Sequence, residues 1–252
     1  MWSTEPVGRP GQPQPRMWQV DRQAEDADGA MRAPWVVGLV ASIGGLDAIS
    51  QVLATLPASY PGAIVVLQHT TPTHPSQLAE ILSRRTALKV TLAQDGDRLQ
   101  PGLVLVAPAG RHILVCPDQT VALINSGQMP PWRPSADLLL TSMALSCGAR
   151  AVAVILSGAG HDGTAGAAAV KRLGGLVIAQ DQATSTEFGM PGSAIAFDKI
   201  VDHVVGVGGI GAILAAVSGR LRPARSYRRR QSQQSRAEQP DAEDWNQDDV
   251  PP

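Results

Sequence analysis

Three short apolar runs constrain this chain more than any other feature: Trp35 to Val40, Ala63 to Leu67 and Ala151 to Leu156. Each is apolar on successive residues rather than on alternate ones, which is the pattern of a strand buried on both faces. Each is followed, after a break, by a helical segment. Gly45 to Leu56 places Leu46, Ile49, Val52, Leu53 and Leu56 at helical spacing, Ser76 to Leu82 follows Pro75, and Ala165 to Leu173 ends at Gly174-Gly175. Strands alternating with helices predict an α/β fold, a doubly wound and mostly parallel sheet with right-handed crossovers. The expected fold is Rossmann-like and forms a single domain.

Between the second and third units the pattern changes. Leu103 to Val106, His112 to Val115 and Val121 to Ile124 are short runs separated by Pro-Ala-Gly and Pro-Asp-Gln-Thr, which predicts an antiparallel hairpin or meander on an edge of the main sheet. Gly127 to Pro134 reads as a loop, with Ser135 placed to cap a helix through Leu138, Leu139, Met143 and Leu145. Beyond the third unit, Leu176 to Ala179 predicts a strand, Ala194 to Ile200 a helix, Val204-Val205 a short strand and Ile210 to Val217 a closing helix.

The flanks differ from this block. Residues 1–33 are rich in Pro, Gly, Gln and charge and predict a disordered leader, while residues 34–217 carry the folded pattern. Residues 218–252 hold an arginine block followed by an acidic one and predict a solvated, disordered tail, with an interaction tail as the alternative. A net charge of -1 gives no reason to expect nucleic-acid binding. Two cysteines, Cys116 and Cys147, cannot frame a chain of 252 residues, which suits a reducing, cytoplasmic setting. The N-terminus lacks an apolar signal core, and Val204 to Val217 is too short and too glycine-rich for membrane insertion.

Ser42, His69 and Asp162 each fall just past the carboxyl end of one of the three strands. Ligands of an open parallel sheet bind beyond that edge. A serine, an imidazole and a carboxylate delivered there make up the set that nucleophilic acyl transfer requires. Each residue also has a plainer reading: Ser42 as a helix N-cap, His69 as a loop histidine, and Asp162 as the cap of the helix beginning near Thr164. Ser157, His74 and His161 crowd the same edge. The glycines Gly158, Gly160 and Gly163, with Asp181 about twenty residues on, also fit a dinucleotide-binding turn.

The block resembles the catalytic domain of the chemotaxis protein-glutamate methylesterases. Ala41-Ser42-Ile43-Gly44-Gly45, Gln68-His69 and Gly158-Ala159-Gly160-His161-Asp162-Gly163 are similar to that family's nucleophile, base and aspartate segments. Further matches are Asp95-Gly96, Pro101-Gly102, Val106-Ala107-Pro108, Arg133-Pro134-Ser135, Ala179-Gln180-Asp181 and Gly189-Met190-Pro191. The resemblance implies hydrolysis of glutamyl methyl esters on the cytoplasmic helices of chemoreceptors, with release of methanol, and deamidation of receptor glutamines. It implies a triad of Ser42, His69 and Asp162 and no cofactor or metal; the backbone N–H groups of Ile43 and Ala159 are the oxyanion candidates. Family members usually also carry a phosphoacceptor receiver domain, for which the leader is too short. A stand-alone domain is therefore expected, either constitutive or controlled by a separate regulatory protein.

Three positions depart from the family pattern. Val40 and Ile43 stand where it has Gly and a small or hydroxylated residue, and Ala159 stands where Met is common. A β-branched residue resists positive φ, so the turn presenting Ser42 is expected to differ in shape. A docking module of the same fold without turnover is the remaining alternative.

Overall fold

In the computed structural model, which describes residues 34–70, 76–125 and 134–219, seven strands form one parallel sheet in the order β3-β4-β2-β1-β7-β8-β9. They are β1 (Val36–Ala41), β2 (Ala63–Gln68), β3 (Lys89–Leu92), β4 (Leu103–Val106), β7 (Ala151–Ile155), β8 (Leu176–Gln180) and β9 (His203–Val205). The helices are α1 (Gly45–Ala54), α2 (Leu78–Ser83), α3 (Ala136–Cys147), α4 (Thr164–Arg172), α5 (Gly189–Ala196) and α6 (Val207–Gly219). A separate antiparallel pair is made by β5 (Arg111–Val115) and β6 (Val121–Asn125).

The central strands are apolar throughout because both of their faces are covered. Val36 and Val40 of β1 join one core with Leu139, Leu140 and Met143 of α3 and with Ala167 and Val170 of α4. Val37, Leu39 and Ala41 join the other, with Ile49 and Leu53 of α1 and Ile210 and Leu214 of α6. Among the described residues no helix is long and apolar enough to cross a membrane.

The predicted α/β class and parallel sheet are observed, with three differences in detail. Only two of the three middle runs form the hairpin, and it is a separate two-stranded sheet packed on α3 rather than an edge of the main sheet. The first of them, β4, is an interior strand paired in parallel with β2 and β3. Strand β3 has no counterpart in the sequence reading, because as an edge strand with exposed Leu92 it lacks a doubly buried apolar run. The helix expected over Ala194 to Ile200 starts earlier, at Gly189. Pro191 falls in its first turn, where a missing N–H costs nothing, and the helix stops at Ala196, where the backbone turns extended at Phe197, short of the expected Ile200. The leader 1–33, the tail from residue 220, Pro75, His74 and most of the 127–134 loop lie outside the described residues, whereas Ser218 and Gly219 complete α6.

The hairpin packs against α3. Ser142 Oγ accepts the Val115 amide at 3.0 Å, and Ser146 Oγ donates to the Val115 carbonyl at 2.8 Å, so α3 satisfies backbone groups on the free edge of β5. His112 Nδ1 accepts the Ser135 amide at 2.9 Å and pins the start of α3. Helices α3 and α4 then approach closely at Gly166. A Cβ there would lie 2.6 Å from Leu140 Cβ and 2.9 Å from the Asp137 carbonyl oxygen.

Gly166→Ala is therefore expected to destabilise the fold by about 1–3 kcal/mol, even though Ala is the better helix former by about 1 kcal/mol. Urea unfolding measures this, and a midpoint at or above wild type would show that the two helices separate without cost.

Candidate functional site

The sheet order decides which side chains meet. The chain runs from β1 to β2 on one side and later returns to β7 on the other side of β1, so β1 sits at a topological switch point. The carboxyl ends of β2, β1 and β7 lie side by side, and His69, Ser42 and Asp162 follow them. Backbone pairing continues past the strands: the His69 amide donates to the Ala41 carbonyl at 3.0 Å, and the Ser42 amide donates to the Ser157 carbonyl at 3.0 Å. Ser42 is thereby fixed between the neighbours on either side.

The turn after Ser42 places its strain on a glycine. Gly44 has φ +78° and caps α1, while Ile43 is not among the positive-φ residues, and Val40 is an ordinary buried strand residue. The β-branched residues therefore occupy the turn without adopting left-handed backbone. Ile43 exposes 54% of its surface, so its side chain costs the core nothing. Ser42 does not act as the N-cap of α1, since that position belongs to Gly44.

Asp162 is 5% exposed and gathers four donors. Its Oδ2 lies 2.8 Å from His69 Nε2 and accepts the Ala136 amide at 2.7 Å. Its Oδ1 accepts the Asp137 amide at 2.9 Å and the Ser135 hydroxyl at 3.3 Å. Asp162 therefore caps α3 rather than α4, the helix that follows it in sequence. Burial pushes its carboxyl pKa up. The bonds from His69, Ala136 and Asp137, together with attraction to His69, outweigh burial and hold the pKa below its ordinary value. An ionised Asp162 only accepts, so His69 Nε2 is the donor in their shared bond.

The glycine run beside Asp162 is explained by packing and capping rather than by a pyrophosphate. The N-terminus of α4, where a dinucleotide phosphate would sit, is filled by Asp137, whose Oδ1 accepts the Gly163 amide at 2.9 Å and the Gly166 amide at 2.8 Å. Gly158 is pressed against the Ser42 segment: a Cβ there would come within 2.3 Å of Met190 Sδ and 2.9 Å of Ser42 Cβ. Asp181, the expected ribose ligand, is instead bonded to the Thr184 amide and hydroxyl.

Two residues with structural roles at the site were not singled out for those roles in the sequence. Ser157, which looked like one more polar residue at a strand end, donates through its hydroxyl to the Ile43 carbonyl at 2.8 Å and accepts the Glu187 amide at 3.0 Å. It ties the Ser42 turn to the β8–α5 segment. Asp137 follows the cap residue Ser135 by two, a spacing that signals only a helix first turn. His161 is exposed and does not bond Asp162.

Comparison with known proteins identifies this architecture. The chain matches the CheB methylesterase family over residues 37–214 and belongs to that family. It is 42% identical over 192 residues to protein-glutamate methylesterase/protein-glutamine glutaminase 1 of Myxococcus xanthus (strain DK1622), a match covering 75% of this chain and 55% of the relative. It is 41% identical over 160 residues to protein-glutamate methylesterase FrzG of Myxococcus xanthus, covering 64% and 48%. The chain thus spans about half the length of these curated relatives. Its fold is similar to the crystal structure of the Thermotoga maritima CheB methylesterase catalytic domain, with TM-score 0.69 and 34% identity, covering 73% of this chain and 99% of that domain.

Because the folded pKa of Asp162 is lowered, its ionised form stabilises the protein above the ordinary carboxylate range, and that contribution is lost as pH falls through the lower folded value. Asp162→Asn should cost about 1–3 kcal/mol at neutral pH, with the gap to wild type narrowing on acidification. Urea midpoints of both proteins across that range check this, and a gap independent of pH would contradict it.

Proposed function

We propose that this chain is a protein-glutamate methylesterase that hydrolyses γ-glutamyl methyl esters on the cytoplasmic helices of chemoreceptors, with Ser42, His69 and Asp162 as its triad. The observation that carries this reading is the 2.8 Å bond between His69 Nε2 and the buried Asp162 carboxylate, two residues that follow the strands on either side of β1, whose end leads into Ser42. The printed names of the relatives support the substrate class. The same chemistry on a glutamine side chain releases ammonia, in keeping with the glutaminase part of the first relative's name.

Ser42 Oγ attacks the ester carbonyl while His69 Nδ1 takes its proton, and Asp162 stabilises the imidazolium. The tetrahedral oxyanion is held by backbone N–H groups. Those of Ile43 and Ala159 remain the candidates, since neither donates to a protein acceptor among the described residues and the Ile43 peptide is anchored through its carbonyl by Ser157. Collapse expels methoxide, which takes the proton from His69 and leaves as methanol. Water, deprotonated by His69, then attacks the acyl-enzyme, releasing the glutamate carboxylate and returning the proton to Ser42. No step uses a metal or cofactor. A groove of about 540 Å³ bordered by Asp137, His161, Thr164 and Phe197 gives room beside the site for a polypeptide substrate. Control by a separate regulatory protein belongs to the same proposal.

Incubation with methylated receptor fragments should release methanol. Ser42→Ala should lower that rate by about a thousandfold or more. A rate unchanged by the substitution would overturn the assignment of Ser42, and no release from wild type would overturn the substrate.

A further inference from the structure

We infer that Asp137 is a positioning residue for the triad: from the first turn of α3 it holds the segment carrying Asp162 so that the Asp162 carboxylate faces His69. The inference rests on the methylesterase reading only in taking Ser42, His69 and Asp162 as the working site.

Asp162 arrives on a segment that cannot orient it alone. Gly158, Gly160 and Gly163 surround it, and Gly160 and His161 immediately before it are exposed. Four donors fix its carboxylate, but apart from His69 they all come from the start of α3, at Ser135, Ala136 and Asp137. Correct aim therefore requires the segment before α4 to stay in register with the start of α3.

Asp137 provides that register from both sides of one residue. Its amide donates to Asp162 Oδ1 at 2.9 Å, while its own Oδ1 accepts the amides of Gly163 and Gly166 at 2.9 and 2.8 Å. Gly163 follows Asp162 directly, so the grip lies one peptide from the carboxylate being aimed. The result is a crossed exchange, in which an aspartate before α4 caps α3 and an aspartate in α3 caps α4. Two carboxylates this close repel, yet each sits at the positive end of the other's helix, which offsets the repulsion. Removing the Asp137 carboxylate leaves two first-turn amides of α4 without their acceptor and frees the Asp162 segment to rotate. A displacement of that kind, remote from the reacting atoms, is costly to catalysis.

The test uses the intact chain with Asp137→Ala, which removes the acceptor of the Gly163 and Gly166 amides, and Asp137→Asn, which keeps an acceptor oxygen without the charge. The rate of Ser42 modification by a fluorophosphonate and the downfield proton resonance of His69 Nε2 report triad geometry whatever the natural substrate is. Asp137→Ala should slow labelling by about tenfold or more and lose or broaden the resonance, while Asp137→Asn should stay within about threefold of wild type and keep it. Should Asp137→Ala fail to fold by circular dichroism, Asp137→Ser, whose hydroxyl is a shorter cap, should show an intermediate loss. A folded Asp137→Ala with wild-type labelling and an unmoved resonance would sink the inference. So would Asp137→Asn falling as far as Asp137→Ala, or a folded Asp137→Ser indistinguishable from wild type. If labelling and resonance respond as expected but wild type releases no methanol from methylated receptors, the substrate reading fails and the role of Asp137 stands.

Discussion

The site depends on the crossing of two helix N-termini. Asp162 takes the first amides of α3, and Asp137 takes two amides at the start of α4. Helix N-termini leave amide donors without intrahelical partners, and burying them unpaired would destabilise the fold. Here each helix satisfies the other's donors with a carboxylate. The same arrangement that completes the helices also aims one carboxylate at an imidazole. Folding stability and site geometry are therefore coupled, and the lowered pKa of Asp162 expresses that coupling, because the donors that cap α3 also favour the ionised carboxylate.

This crossing is supported from further out. The hairpin β5–β6 anchors the start of α3 through His112 and the body of the helix through Ser142 and Ser146. The close approach at Gly166 brings α4 onto α3. On the other side of Ser42, Ser157 binds the Ile43 carbonyl, and the Gly158 carbonyl accepts the Met190 amide at 2.7 Å. The backbone around Ser42 is thus held by neutral hydrogen bonds, while charge is concentrated at the His69–Asp162 end. That division suits a site in which a neutral serine must be deprotonated and an imidazolium must be stabilised.

Departures from the family pattern at Val40 and Ile43 turn out to be compatible with the fold. The residue after Ser42 needs no left-handed conformation, because the turn reaches it one residue later, at Gly44. A β-branched side chain at position 43 can then point to solvent. Where the backbone strain falls, rather than which side chain neighbours the serine, decides whether the turn forms.

The doubly buried strands, their alternation with helices and the three polar residues at strand ends were legible from the sequence, since burial on both faces leaves an unbroken apolar run that stops where polar residues begin. The same signal fails for β3, whose exposed edge position permits polar residues, and for β4, whose short apolar run reads equally well as hairpin or interior strand. Sequence also supplied both glycine readings of the stretch around Asp162 without choosing between them. Only the tertiary structure decided that the pyrophosphate position is filled by Asp137, that Asp162 caps the helix before it rather than the one after, and that Ser157 braces the Ser42 turn. These are contacts between residues 25 to 114 positions apart. Local propensity carries no information about such pairs, because strand order and helix packing alone bring them together.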